Sequence, residues 1–159
     1  MATAGEERLG ILEQRRIEAA FAKGIFEEME AALGTEQARA ILTRAVVRMA
    51  RETGAAMAAE SPEGPSIAHF LSLQPLWTKG DALVIETLRA DETRYEFNVT
   101  RCRYAEMYRA MGLAELGGIL SCNRDGAFCE GYDPKLKLTR TQTIMGGASH
   151  CDFRYVREG

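Results

Sequence analysis

The spacing of apolar residues changes along this chain, and the change restricts the folds that it can adopt. Up to about residue 59, apolar residues recur at helical spacing, which is typical of amphipathic helices. In residues 82–101 they alternate with polar residues around a polar turn, which indicates an antiparallel hairpin with one wetter face. Helices followed by paired strands predict an α+β domain.

The helical part is predicted to be a hairpin of two long helices. The first covers residues 6–33 and the second residues 36–59, with Gly34 suited to the position that follows a helix. Beside the residues that recur at helical spacing, three others are expected to widen the apolar face of the first helix: Ile17, Phe21 and Ile25. This hairpin can serve as a scaffold or as a dimer interface, which leaves a homo-oligomer open.

The rest of the chain predicts a four-stranded antiparallel sheet, made of two hairpins, and two further helices in the order ααββααββ. Residues 61–81 contain three prolines and are expected to form a connecting loop, with one helical turn around residues 67–73. The strands are expected at residues 82–89, 94–101, 135–145 and 151–156, and the helices at residues 103–114 and 116–130.

Size and charge exclude several classes of protein. A chain of 159 residues predicts one domain, 1–159. Its formal charge of −3 gives no electrostatic reason to expect nucleic acid as a partner. No apolar run approaches the roughly 20 residues of a membrane span, so no membrane partner is expected. The first ten residues lack the regions of a signal peptide, and we expect a cytoplasmic protein with reduced thiols.

Chemically active residue types are concentrated near the C-terminal end. The stretch of residues 122–152 holds three of the four cysteines and one of the two histidines. Cys122, Asp125 and Cys129 recur at i, i+3 and i+7, which places them on one face of a helix. If the last strands fold back beside that helix, His150 and Cys151 will converge with these side chains on one pocket.

Several segments resemble the L-2-amino-thiazoline-4-carboxylic acid hydrolase family, and the resemblance covers residues from about 10 to 156. It rests above all on a C-x-x-D element combined with a later C-D-F element. The chain departs from the family pattern at Gly117-Gly118, where a further cysteine and a proline are expected. The segments are ILEQRRIEA at 11–19, SCNRD at 121–125, DPKLKLTRTQT at 133–143, GG at 146–147 and CDFRY at 151–155.

The resemblance implies an enzyme that opens a thiazoline ring to an N-carbamoyl cysteine. We therefore expect a thiol-dependent hydrolase that opens a cyclic C–N bond, amidine- or isothiourea-like, in a small carboxylated heterocycle such as 2-aminothiazoline-4-carboxylate. A small molecule is the expected partner, and no cofactor is required by this chemistry.

Such a reaction needs a nucleophile, a proton donor and a group that binds the substrate carboxylate. Cys122 is the first candidate nucleophile, because a position near a helix N-terminus would lower its pKa. Asp125 can pair with a cationic amidine or act as general acid and base. His150 and Cys151 are candidates for a proton relay or a second thiol. Arg140 offers the planar fork that suits a carboxylate.

Five further polar residues are candidates for contact with the substrate. Thr139, Thr141 and Thr143 alternate along the predicted third strand and would share one of its faces. Asn123 and Asp152 complete the set. Because Asp152 follows Cys151 within a strand, one of the two is expected to point away from the pocket.

Two alternatives stay open at this point. Zinc is one, because Cys122, Cys129, His150 and Cys151 are soft ligands, although the chain has no close C-x-x-C or H-x-x-x-H element. A sensor that binds a small molecule without converting it is the other. Cys102, and Cys129 in the absence of zinc, are expected to be buried packing residues.

Overall fold

The computed structural model describes residues 7–159 and confirms the predicted helical hairpin. Helix α1 covers Ile11–Leu33 and α2 covers Thr35–Ala59. Gly34 joins them with φ of +86°, a conformation that glycine adopts without steric cost. Glu6, the first residue of the predicted helix, lies outside the described residues. Among residues 7–159, no helix combines the length and the apolar character needed to cross a membrane.

The remaining elements follow in the predicted order. The predicted helical turn at residues 67–73 is confirmed as α3, and a second short helix, α4, follows it before the first strand. The elements are α3 Ile67–Leu73, α4 Pro75–Thr78, a 3-10 turn Lys79–Asp81, β1 Leu83–Ala90, β2 Arg94–Cys102, α5 Arg103–Ala110, a π-helical turn Gly118–Cys122, α6 Arg124–Tyr132, β3 Leu136–Thr139 and β4 Cys151–Arg157.

One antiparallel sheet holds the four strands in the order β1-β2-β4-β3. The register pairs Phe97 with Phe153 and Val99 with Cys151. Because paired residues share a face and alternate residues along a strand do too, these side chains and Tyr155 all lie on the face that packs against the helices. The cysteine-rich stretch of residues 122–152 therefore enters the interior of the domain through the start of β4.

The third strand is shorter than predicted. It ends at Thr139, and residues 140–150 form a loop. Beyond the end of β3, the Asp152 carboxylate on β4 accepts hydrogen bonds from the backbone N–H groups of Thr141 (2.9 Å) and Gln142 (3.0 Å). A side chain thus binds the amides that a longer strand would have paired, and the common strand face predicted for the three threonines is wrong.

Helix α1 buries a narrower face than predicted. Ile17 and Phe21 are 62% and 74% exposed, and Ile25 is also exposed, so they do not widen a buried face. The buried residues of α1 are instead Ile11, Arg15, Ala19 and Phe26. The exposed apolar stripe suits an interface between copies, and the homo-oligomer stays a prediction.

Helices α2 and α6 cross at two glycines with almost no space between their backbones. A Cβ atom on Gly54 would lie 2.2 Å from the carbonyl oxygen of Phe128, and one on Gly131 would lie 2.0 Å from that of Arg51. Both distances are far inside van der Waals contact, and the obstructing atoms are backbone. Only glycine at both positions allows this approach.

We expect Gly54→Ala and Gly131→Ala each to lower the free energy of unfolding by at least about 2 kcal/mol, because overpacking against backbone cannot be relieved by side-chain movement. Gly126→Ala, also in α6, is the matched control, since a Cβ there meets nothing within 4 Å. It should stabilise by up to about 1 kcal/mol through helix propensity. Urea unfolding measures all three, and equal effects of Gly131→Ala and Gly126→Ala would contradict the crossing.

Candidate functional site

Two adjoining cavities lie between the helices and the sheet. The larger, here called the aromatic chamber, has a volume of about 490 Å³ and has seven aromatic residues in its lining: Phe70, Trp77, Tyr95, Phe97, Phe128, Phe153 and Tyr155. The smaller, here called the thiol pocket, has a volume of about 60 Å³ and is lined by Cys102, Cys122 and Cys151 among others. The two share several lining residues, including Arg15, Arg124 and Asp125.

The aromatic rings of the chamber come from the strands and from α3, α4 and α6, and side chains of α1 and α2 complete its lining. Phe97 and Phe153, opposite each other in the register, stack with centroids 4.8 Å apart and planes 9° apart. Trp77 from α4 meets Phe128 from α6 edge-on, with centroids 5.4 Å apart. These ring pairs stabilise one another and keep the walls rigid. Trp77 lines both cavities and forms part of their common wall.

Asp125 occupies the junction of the two cavities. It lines both, and its carboxylate accepts a hydrogen bond of 2.6 Å from Nη1 of Arg140. Nη2 of the same guanidinium donates to the carbonyl oxygen of Cys122 at 3.0 Å, and the group lies 5.0 Å above the ring of Phe153. Burial raises the pKa of Asp125, and the positive charge of Arg140 opposes that rise. Arg140 is therefore engaged with Asp125 and Cys122.

The thiols are protonated at neutral pH. Burial, and then the negative charge of Asp125, raise the pKa of Cys122 to about 12. Cys122 ends the π-helical turn and precedes α6, so it lies outside the first turn of that helix. The predicted lowering of its pKa by a helix N-terminus is wrong. Burial also raises the pKa of Cys102 and Cys151.

The fourth cysteine differs from the other three. Cys129 is buried at 2% exposure and lines neither cavity, as a packing residue would. Cys102, also predicted to pack, lines the thiol pocket, where its sulfur accepts a hydrogen bond from the N–H of Ala105 at 3.4 Å. The sulfur of Cys151 accepts one from the N–H of Ile144 at 3.2 Å.

The departure from the family pattern at Gly117 borders the thiol pocket. A Cβ atom on Gly117 would lie 2.5 Å from the sulfur of Met145, which lines that pocket. Any larger residue at 117 would have to displace Met145. The glycine therefore shapes one wall of the site.

Half of the predicted site residues meet at the cavities and half do not. Those that line a cavity are Cys122, Asp125, Arg140, Thr143 and Cys151.

The other five lie elsewhere. Asn123, Thr139 and Thr141 are exposed. His150 contacts the hydroxyl of Ser149 at 2.9 Å and lines neither cavity, and Asp152 binds the 140–150 loop as described above. Cys151 and Asp152 point to opposite strand faces, as their adjacency predicted, and Cys151 is the one that faces inward.

The proposed zinc ligands do not form a metal site. In the described part of the chain, no three side chains of His, Cys, Asp or Glu are grouped so that they could hold a metal ion. His150 precedes β4 and lines neither cavity, Cys151 lines the thiol pocket, and Cys129 lines neither cavity. The residues present do not fit a zinc centre.

Two arginines that sequence reasoning missed border both cavities. Nη1 of Arg15 donates to Glu18 at 2.9 Å, and Nη2 of Arg124 donates to the same carboxylate at 3.1 Å. Nε of Arg124 also donates to the carbonyl oxygen of Leu120 at 2.7 Å. Arg15 is only 8% exposed. Its spacing from Ile11 and Ala19 is the signal, because it places an arginine on the buried stripe of an amphipathic helix.

Comparison with known proteins gives one family and a structural neighbour. The sequence profile of the L-2-amino-thiazoline-4-carboxylic acid hydrolase family matches residues 14–155. No curated protein matches the chain. Among solved structures, the chain is similar to the phenol-responsive sensory domain of the transcription activator PoxR, a crystal structure with phenol, at a TM-score of 0.52 and 17% identity, over 87% of this chain and 73% of that one. At this identity the likeness concerns the fold alone.

The raised pKa of Cys122 makes alkylation a direct test of the site. With a pKa of about 12, its thiolate fraction rises about tenfold per pH unit from neutrality, and so should its labelling by iodoacetamide. Asp125→Asn removes the charge that disfavours the thiolate and should raise the labelling rate at pH 8 about tenfold. Peptide mass spectrometry identifies the labelled cysteine.

Glu63→Gln is the matched control, since it removes one negative charge from an exposed position. It should leave the labelling of Cys122 unchanged. Rapid labelling at pH 7 in the wild type, or no change on Asp125→Asn, would contradict the geometry described here.

Proposed function

The chain belongs to the L-2-amino-thiazoline-4-carboxylic acid hydrolase family, and from this membership we propose that it hydrolyses a small carboxylated heterocycle with an amidine- or isothiourea-like carbon. In this proposal Cys122 is the nucleophile and Asp125 handles charge and protons. Cys151 is a second thiol of the pocket. His150 has no role here, since it lines neither cavity.

The observation that carries the proposal is the position of Asp125. It is the carboxylate that borders both the thiol pocket and the aromatic chamber, and Arg140 holds it beside the backbone of Cys122. A ring bound in the chamber with its reactive carbon at the junction would meet a thiol and a carboxylate together. Such pairing of a nucleophile with a proton acceptor is what covalent catalysis needs.

The substrate itself supplies the activation that the free protein lacks. An amidinium-type cation at the junction would lower the pKa of both Cys122 and Asp125, because it stabilises their charged forms. The Cys122 proton then passes to Asp125 while Sγ bonds to the central carbon. The ring bond breaks with its electron pair, and the leaving atom takes the proton. Water finally displaces Sγ, so one water is consumed per turnover.

The bond that breaks depends on the ring. An N-carbamoyl product keeps both nitrogens on the attacked carbon, so an aminothiazoline would lose its ring C–S bond. In a cyclic amidine without sulfur, the leaving atom is nitrogen and the bond is C–N. Both reactions use the same attack on the same carbon, and C–N cleavage is the class we propose for such amidines.

Turnover of 2-aminothiazoline-4-carboxylate provides the test. Cys122→Ala should abolish ring opening, whereas Cys129→Ala, which removes a buried thiol outside the cavities, should retain it. Because the substrate cation activates the thiol in this proposal, kcat/KM should fall as the pH rises through the pKa of the ring and that cation is lost. The product is measured by liquid chromatography with mass spectrometry. Full activity of Cys122→Ala would exclude the nucleophile role.

A sensor that binds without converting is the second candidate. One observation favours it: the chamber is about 490 Å³ and mainly apolar, while the thiol pocket beside it is about 60 Å³ and holds protonated thiols. The similar fold of the PoxR domain is consistent with a binding role. A sensor would show ligand-induced stabilisation with no product at any pH and no effect of Cys122→Ala on binding.

A further inference from the structure

We propose that Arg15 and Arg124 form a carboxylate-binding end of the aromatic chamber, and that the natural ligand is an anion with an aromatic or similarly apolar ring body. The inference rests on the proposed function in that it concerns the same cavity. It assigns binding of the ligand carboxylate to Arg15 of α1 and Arg124 of α6, and not to Arg140, the residue that the sequence predicted for this role.

The junction of the cavities holds more positive than negative charge. Three guanidiniums meet there with side chains only 10%, 12% and 16% exposed: Arg15, Arg124 and Arg140. Two carboxylates form ion pairs with them: Asp125 pairs with Arg140, and the half-exposed Glu18 pairs with both Arg15 and Arg124. One buried positive charge is therefore left without a partner in the cluster, and a buried unpaired charge is costly until a counter-ion binds.

Arg15 and Arg124 each keep N–H donors that have no acceptor in the described residues. Arg15 donates to Glu18 through Nη1, and its Nε and Nη2 donate to no residue among 7–159. Nη1 of Arg124 is likewise without an acceptor in the described residues. Arginines that line a cavity and keep free donors match the geometry of a carboxylate, which accepts two parallel hydrogen bonds.

Two other charged groups near this end do not change the argument. Glu52 also lines the chamber, but it is exposed and forms no ion pair within the described residues. Arg140 is unsuited to the role because both of its terminal nitrogens are engaged, one with Asp125 and one with the carbonyl of Cys122. Among the terminal nitrogens of these three arginines, the ones without an acceptor in the described residues are thus Nη2 of Arg15 and Nη1 of Arg124.

The body of the ligand follows from the chamber walls. Rings from the sheet, α3, α4 and α6, with side chains of α1 and α2, line a cavity of about 490 Å³, within the range of roughly 300–1,000 Å³ found for small-molecule sites. A single five-membered ring would fill only part of this space and would leave the apolar walls wet. A fused aromatic ring would stack on Phe97 and Phe153 and displace that water.

Binding of a matched pair of probes tests the inference without any turnover. Isothermal titration calorimetry compares 2-naphthoate with 2-naphthamide, which has the same shape and no charge. The wild type should bind the carboxylate at least about tenfold more tightly, since hydrogen bonds to a charged group contribute about 1.5–3 kcal/mol. Arg15→Gln and Arg124→Gln should each weaken naphthoate about tenfold or more and leave the amide nearly unchanged.

Controls separate clamp from scaffold. Arg16→Gln removes the neighbouring exposed arginine of α1 and should alter neither affinity. Arg15→Lys keeps the charge without the fork and should give intermediate binding. Retained amide binding shows that each variant is folded. Equal wild-type affinity for both probes, parallel losses of both in Arg15→Gln, or no binding of either probe would overturn the inference.

The outcomes also separate this inference from the hydrolase proposal. If naphthoate binding depends on Arg15 and no ring is opened, the carboxylate-binding role of the arginines is supported and the hydrolase proposal is rejected. If the ring is opened whether or not the substrate carries a carboxylate, and Arg15→Gln keeps this activity, the hydrolase proposal is supported and the carboxylate-binding role of the arginines is rejected.

Discussion

The close crossing of α2 and α6 at Gly54 and Gly131 is the contact on which the rest of the structure depends. It sets the depth at which α6 lies against the helical hairpin, because the two backbones touch without intervening side chains. From that position α6 places Asp125 at the junction of the cavities and Phe128 in the chamber wall. A wider spacing would move the carboxylate away from the thiols and open the chamber between helix and sheet.

Electrostatics and burial act against each other inside this frame. Burial protonates the thiols and raises the pKa of Asp125, while the arginines favour negative charge at the same place. The free protein is thus a poor nucleophile with an unused positive charge. A ligand that carries a carboxylate at one end and a cationic amidine at the other would satisfy both groups, and its binding would activate the thiol.

Much of the fold could be predicted, because each of its signals is local. Helical spacing located the helical hairpin and alternation located β1 and β2. The prolines marked the segment that connects the hairpin to β1. The end of β3 could not be predicted, because it depends on Asp152 of the next strand, which lies 11 residues after Thr141 and 10 after Gln142 and accepts their hydrogen bonds. Likewise, periodicity alone left the width of the buried face of α1 ambiguous, and burial of Arg15 requires a cavity that local sequence does not reveal.

By itself, the sequence determined the order of elements and the residue types available to the site, including Cys122, Asp125 and Cys151. It also required that Cys151 and Asp152 face opposite ways, since alternation in a strand is a local property. Tertiary structure alone decided which of the pair faces inward, that Arg140 binds Asp125, and that Arg15 from the far end of the chain joins them. Such decisions depend on packing between distant segments, where burial sets the pKa of each group and proximity sets its partners.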